Sequence, residues 1–176
     1  MTRPRYTFSP SGARAAPAAL GACAVAAIGV LSWPYTVDDA YIAARYARHV
    51  AHGLGYAMNP GQSTDGVTGP LWVVPQIAAI ALGLDPIAIV KGIGLACTVL
   101  AVWLAVATQR ARALGQQAAA IAAVTCALSP SLSSWAVAGL ETGLATLLLT
   151  LAAAAALRPR APRGTRSRTA PALVRS

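Results

Sequence analysis

Acidic side chains are scarce in this chain: only five of its 176 residues are Asp or Glu, and charged residues of both signs make up 11%. A soluble domain carries about 25% charged residues, so the composition argues against a soluble globular protein. The apolar residues form long blocks rather than an amphipathic stripe. Long apolar blocks are typical of membrane-spanning helices, and we therefore expect an all-α polytopic membrane protein.

Cysteine is also rare and carries no recognisable pattern. The three cysteines, Cys23, Cys97 and Cys126, all lie inside apolar blocks and have no CxxC spacing. An odd number without such spacing favours small buried residues in helices over disulfides or metal ligands.

The basic residues give a net charge of +9, which would suit binding to nucleic acid. However, the arginines cluster in the two tails and in one short hinge that contains Arg110 and Arg112. They do not follow an aromatic-interleaved face, so their placement indicates membrane orientation and no nucleic-acid partner.

The apolar blocks predict a membrane domain over residues 17–157. The first block could instead be a secretory signal peptide, although no convincing cleavage site follows it. A helix over residues 70–84 would reach about 22 Å, short of a bilayer core of about 30 Å. We therefore expect it to be interfacial or re-entrant. The predicted spans are 17–34, 86–108, 115–135 and 140–157, between a basic tail (1–16) and a disordered Arg/Pro-rich tail (158–176).

The positive-inside rule supports this four-span arrangement. If residues 70–84 do not span, the two basic tails and the Arg110/Arg112 hinge all face the cytoplasm. Both termini are then cytoplasmic in the plasma (inner) membrane. The outer face receives Asp38, Asp39, Asp65 and Glu141 together.

The outer loop, residues 35–85, holds most of the polar sequence. An amphipathic helix is predicted over residues 39–52, with Thr36 or Asp38 as its cap, Asp39 in its first turn and Gly53 as its stop. Its spacing places Tyr41, Arg45, Arg48 and His52 on one face.

The adjacent pair Asp38 and Asp39 is the main candidate site. Two carboxylates side by side repel one another when both are ionised, which suits one of them to act as general base toward a hydroxyl. The same oxygens are candidate ligands for a divalent cation. Arg45 offers a grip for a phosphate, and Tyr41 and Arg48 share its face. The simpler alternative is a helix cap with a surface salt bridge.

The order of the motifs resembles a known family. An acidic pair precedes AYIAARYA, GLGYAMNPG, DGVTGPLW and finally GLET before an apolar run. Over residues 33–149 this order looks like the amino-terminal module of GT-C-class membrane glycosyltransferases. It is most similar to the terminal arabinofuranosyltransferases of the bacterial cell envelope.

The resemblance implies transfer of a sugar from a polyprenyl-phosphate donor to a hydroxyl of an envelope glycan or glycolipid. Asp38 or Asp39 would be the base, and Glu141 would match a second acid of such enzymes. Members of this class have more spans than four. We therefore expect a fragment, a frameshifted product or a subunit that needs a partner.

Two other functions compete with this one. A small non-catalytic scaffold or assembly subunit would use its small-residue helices to pack against a partner, with Asp38 and Asp39 merely capping a helix. A transporter fragment would place carboxylates in mid-span, whereas the acids of this chain flank the predicted spans.

Overall fold

The computed structural model of the protein describes residues 11–62, 64–111 and 115–156. These ranges contain helices, one isolated β-bridge between Asn59 and Gln62, and no strand. The predicted all-α class is therefore confirmed for them. Most of the predicted tail 1–16 and all of the predicted tail 158–176 lie outside the described residues. The helices are α1 (Ser11–Leu31), α2 (Asp38–Ala51), α3 (Val73–Ala81, after a 3-10 turn at Pro70–Trp72), α4 (Pro86–Ala111), α5 (Gly115–Ala127), α6 (Pro130–Ala136) and α7 (Thr142–Ala156).

Helix α4 is the centre of the fold and packs against α1, α5 and α7. Its start is set locally: Pro86 takes the first position, where its missing N–H costs nothing, and the backbone N–H of Ile87 donates to Asp85 Oδ1 at 3.0 Å. Residues Pro86–Thr108 are long and apolar enough to cross a membrane. Among the described residues, α4 is the one single helix that meets this criterion.

The predicted span 115–135 consists of two helices in the structure. The helix breaks between Ala127 and Pro130, and α5 and α6 meet at a bend of 62°. Pro130 causes the break, because it lacks an N–H and its ring collides with the carbonyl one turn earlier. The bent pair together still has the length and composition of one broken span. The apolar parts of α1 and α7 are shorter, at 10–17 residues.

Glycines bring the long helices into backbone contact. A methyl group at Gly94 of α4 would meet the carbonyl oxygen of Ala136, and one at Gly143 of α7 would meet the carbonyl oxygen of Gly94, both closer than real Cβ atoms approach. At Gly21 of α1 the added carbon would lie 3.2 Å from Ala123 of α5. Small residues of this kind let helices associate through their backbones.

Helices α2 and α3 form a separate layer with the loop between them. Ala43, Tyr46, Ala47 and Val73 are its buried core. Helix α2 agrees with the prediction of 39–52 to within a residue. Helix α3 ends at Ala81, three residues before the predicted limit, because Gly83 adopts φ +71° and the Leu84 N–H turns back to Ala79 O at 2.8 Å.

The predicted cap of α2 is wrong. Val37 precedes the helix, and no side chain caps it. Thr36 lies one residue before the cap position, and its hydroxyl accepts a hydrogen bond from Lys91 Nζ at 2.7 Å. Asp38 is itself the first helical residue, and Asp39 lies in the first turn as predicted.

Candidate functional site

A cavity of about 300 Å³ lies between α2, the 66–72 segment and the turn before α7. It brings together Asp39 and Glu141, which are far apart in the sequence and were predicted to share one outer site. Aromatic and aliphatic side chains form much of its wall. Its lining comprises Asp39, Ile42, Ala43, Gly66, Val67, Thr68, Trp72, Leu140 and Glu141.

Asp39 is positioned through the neighbouring Ala40. Ala40 is fully buried and packs with Ile87 and Leu140. A side chain at Gly139 would collide with the Ala40 methyl, and Gly139 also adopts φ +93°, which only glycine tolerates readily. The Val37 N–H donates to Ala138 O at 3.2 Å. The start of α2 is therefore attached directly to the turn that carries Glu141.

Glu141 is positioned by contacts from the other side of the cavity. The buried Trp72 donates its indole N–H to Gly139 O at 3.0 Å. The Glu141 carboxyl lies over Gly69, where an added methyl carbon would be 3.0 Å from Glu141 Cδ. Gly69 therefore leaves the room that the carboxyl occupies.

Sequence reasoning missed Gly69, Trp72 and Gly139 as positioning residues. All three belong to the DGVTGPLW and GLET motifs. A glycine that accommodates another side chain has the same local sequence signature as one that forms a turn, so the sequence alone does not identify this role.

The charged side chains that line the cavity, Asp39 and Glu141, are both acidic. Asp39 is exposed and Glu141 half-buried, and none of the described residues that line the cavity is basic. Across the described ranges, no three His, Cys, Asp or Glu side chains cluster as a metal site would require. A divalent cation held by the two carboxylates would need its remaining oxygen ligands from water or substrate.

The other predicted site residues lie outside this cavity. Asp38, Tyr41 and Arg48 are exposed on α2. Arg45 donates from Nε to Met58 O at 2.8 Å and from its terminal nitrogen to Asn59 Oδ1 at 3.4 Å. In this structure Arg45 therefore holds the loop after α2.

The two histidines also contact backbone. His49 Nδ1 lies 2.7 Å from Ala57 O, and His52 Nδ1 lies 2.7 Å from Arg48 O. The structure therefore gives both rings hydrogen-bonding partners within α2 and its loop.

Behind the cavity, two tyrosines support α2. The ring of Tyr56 lies 4.7 Å from that of Tyr46, centroid to centroid. The Tyr46 hydroxyl donates to Thr64 O at 3.0 Å and also lies 3.1 Å from Thr64 Oγ1. Burial raises the pKa of Tyr56 above its usual value of 10.0, and Asp65 and then Tyr46 add to the increase. These contacts tie Tyr56 and Thr64 of the loop to the buried face of α2.

Comparisons of the chain with protein-family models, with curated proteins and with solved structures found no match. A function for this chain is therefore inferred from the cavity itself. Its two carboxylates can accept protons or hydrogen bonds from hydroxyl groups, and Ile42, Trp72 and Leu140 supply an apolar wall.

Proposed function

We propose that the protein is a GT-C-like membrane glycosyltransferase, or a module of one. It transfers a sugar from a polyprenyl-phosphate donor to a hydroxyl of a cell-envelope glycan or glycolipid. One observation supports this above the others: Asp39 and Glu141 line a single cavity, and none of the described residues around it is basic. A free carboxylate beside room for a polyhydroxylated substrate is what deprotonation of an acceptor hydroxyl requires.

In the proposed reaction Asp39 is the general base. It takes the acceptor proton as the hydroxyl oxygen bonds to the anomeric carbon. The bond from that carbon to the phosphate oxygen breaks, and the lipid phosphate leaves with the electron pair. Glu141 accepts a hydrogen bond from a second hydroxyl and orients the substrate. Asp39 is preferred over Asp38 because Asp38 lies outside the cavity.

The proposal includes the four-span topology in the plasma membrane, with cytoplasmic termini and an extracytoplasmic cavity. Helix α4 is the clearest span, and α1, α5 and α7 pack beside it. The cavity layer adjoins the end of α1 and the beginning of α4. Trp33, Tyr35 and Trp135 are exposed near that end, and such aromatic side chains are enriched where membrane meets water.

Thiol labelling tests the topology in a variant without Cys23, Cys97 and Cys126. Single cysteines replace Gln62, Trp135 or Gln117, all of which are exposed. A membrane-impermeant reagent outside intact cells should label positions 62 and 135 but not position 117. Labelling of position 117, or protection of position 62, would contradict the topology.

Turnover tests the chemistry. Protein in lipid is given a polyprenyl-phosphate sugar and an acceptor, and wild type is compared with Asp39→Asn, Glu141→Gln and the matched control Asp38→Asn. Loss of a general base should slow Asp39→Asn by about a hundredfold to ten-thousandfold. Glu141→Gln should also lose activity, and Asp38→Asn should stay near wild type. Equal rates for all four proteins would remove both cavity acids from the mechanism.

A second function is favoured by a different observation. An apolar groove of about 480 Å³ runs between α1 and α5 and is lined mainly by alanines, with Pro17, Leu20, Gly21 and Val124. Such a surface suits a partner helix, as a scaffold or assembly subunit would need. A scaffold predicts no turnover by wild type, together with loss of its complex when Ala24→Leu fills the groove. Full turnover by purified wild type would contradict a purely scaffolding function.

A further inference from the structure

The single lysine of this chain is buried. The sequence has 14 basic residues, and all but Lys91 are arginine. Lys91 lies in α4 and is 4% exposed. Its ammonium group donates to Trp33 O, to Tyr35 O at 2.9 Å and to Thr36 Oγ1 at 2.7 Å. It also lies 5.2 Å from the centre of the Trp33 ring, where the attraction of a cation to an aromatic face adds to these bonds.

The geometry explains why lysine occupies this position in a chain that otherwise uses arginine. Three oxygen acceptors converge on one point, and an ammonium nitrogen carries three donors on a single atom. A guanidinium spreads its five donors over a planar fork and suits paired acceptors instead. A point donor therefore fits this site better than a planar guanidinium does.

The segment that Lys91 holds leads directly to the cavity. Residues 33–36 form the exit from α1, and α2 begins two residues later at Asp38. Helix α2 has no side-chain cap of its own. Its first turn is instead located by the Lys91 bonds to residues 33–36, by the bond from Val37 to Ala138, and by Ala40 against Gly139.

We infer that Lys91 is a positioning residue, which fixes the Asp39 carboxylate opposite Glu141 by holding the 33–36 segment against α4. The inference rests on the proposed function only for the reaction in which the two carboxylates take part. The placement of Asp39 itself can be measured without turnover.

Cross-linking measures that placement. In the variant without Cys23, Cys97 and Cys126, Asp39→Cys and Glu141→Cys are joined by a short bifunctional methanethiosulfonate, with either Lys91 or Lys91→Met. Methionine keeps the length of the side chain and removes the three donors. Because the start of α2 is then no longer held beside the turn that carries position 141, the two thiols are near one another less often, and we expect the cross-linking rate to fall about tenfold. The cross-linking rate with Lys91→Arg should lie between the rates with Lys91 and with Lys91→Met. An unchanged rate in Lys91→Met would overturn the inference.

A second cysteine pair separates positioning from general destabilisation. Leu20→Cys and Val124→Cys replace two exposed residues that line one groove between α1 and α5, away from the 33–36 segment. This pair should cross-link equally with Lys91 and with Lys91→Met. A parallel loss at both pairs would show that Lys91 supports the whole bundle, and the positioning inference would fail.

A milder variant keeps the test decisive if Lys91→Met does not fold. Thr36→Val removes one of the three acceptors and should slow the 39–141 cross-link by a smaller factor than Lys91→Met. Thr125→Val is the matched control, because Thr125 Oγ1 donates within its own helix to Ile121 O at 2.9 Å. An effect of Thr36→Val no larger than that of Thr125→Val would overturn the inference.

Turnover distinguishes the two proposals. If the wild type has no activity but the cross-link responds to Lys91, the proposed function fails and the positioning stands. If turnover depends on Asp39 while Lys91→Met leaves both turnover and cross-linking unchanged, the function stands and the positioning fails.

Discussion

The helix bundle and the cavity layer are held together in different ways. In the bundle of α1 and α4–α7, glycines such as Gly94 and Gly143 allow backbones to touch. In the layer of α2, α3 and their loop, an apolar core is supplemented by bonds between individual polar atoms, as with Tyr46 on Thr64. The bundle thus depends on small volume at a few positions, whereas the loop of the layer depends on particular hydrogen-bonding groups.

The largest expected effect is on the bundle. Gly94→Ala places a methyl group against the carbonyl oxygen of Ala136. Overpacking of this kind costs about 1–3 kcal/mol, and the rigid backbone partner favours the upper end. The midpoint of denaturant unfolding in lipid–detergent micelles should fall accordingly.

The same helix supplies the control. A methyl group at Gly92 would meet nothing within 4 Å, so Gly92→Ala should leave the midpoint unchanged or raise it slightly. Equal destabilisation by both variants would show that the contact between Gly94 and Ala136 does not limit the approach of the helices.

A smaller effect is expected in the cavity layer. Tyr46→Phe removes the hydroxyl that bonds Thr64 O and contacts Thr64 Oγ1, which should cost about 1 kcal/mol. The loss should appear as faster proteolysis of the loop between residues 52 and 69, with the bundle intact. Tyr56→Phe is the matched control, because the buried Tyr56 hydroxyl has no hydrogen-bond partner among the described residues. If Tyr56→Phe accelerates cleavage as much as Tyr46→Phe, the Thr64 contacts do not order the loop.

Helix boundaries were predicted best from the sequence where neighbouring residues determine them. The start of α4 was predicted at residue 86, since Asp85 and Pro86 together form a start signal. The end of α2 was predicted close to Gly53, which adopts φ +74°. The break before Pro130 was missed because the apolar pattern continues through it. Periodicity and hydropathy report burial, and they do not report a lost backbone hydrogen bond.

The candidate site was less predictable because its contacts are remote in sequence. The sequence singled out Asp38 and Asp39 together with Glu141. In the structure, Asp39 lines the cavity and Asp38 does not. The packing of Ala40 on Gly139, which sets the rotation of α2, could not be read from the sequence. Arg45 was expected at a phosphate, and the structure shows that two of its five donors bind Met58 O and Asn59 Oδ1. Such partners follow from tertiary structure, and the residue type alone does not reveal them.

The smallest expected effect is a pH dependence confined to the cavity layer. Burial raises the pKa of Tyr56 above 10.0 in the folded protein, with Asp65 and Tyr46 adding to the increase. As the pH rises, the unfolded chain therefore releases this proton before the folded one does. The stabilisation is complete below the unfolded pKa and is lost as the pH rises through the folded pKa.

Unfolding midpoints at about pH 8 and about pH 11 measure this loss. The other tyrosines also titrate in this range, so the informative quantity is the difference between wild type and Tyr56→Phe. Wild type should lose more stability than Tyr56→Phe between the two pH values, and Tyr41→Phe, which alters an exposed tyrosine, should behave as wild type does. If the loss of stability at alkaline pH is equally large in Tyr56→Phe, another group causes it. The pH dependence would then not show that the layer depends on the chemical identity of Tyr56.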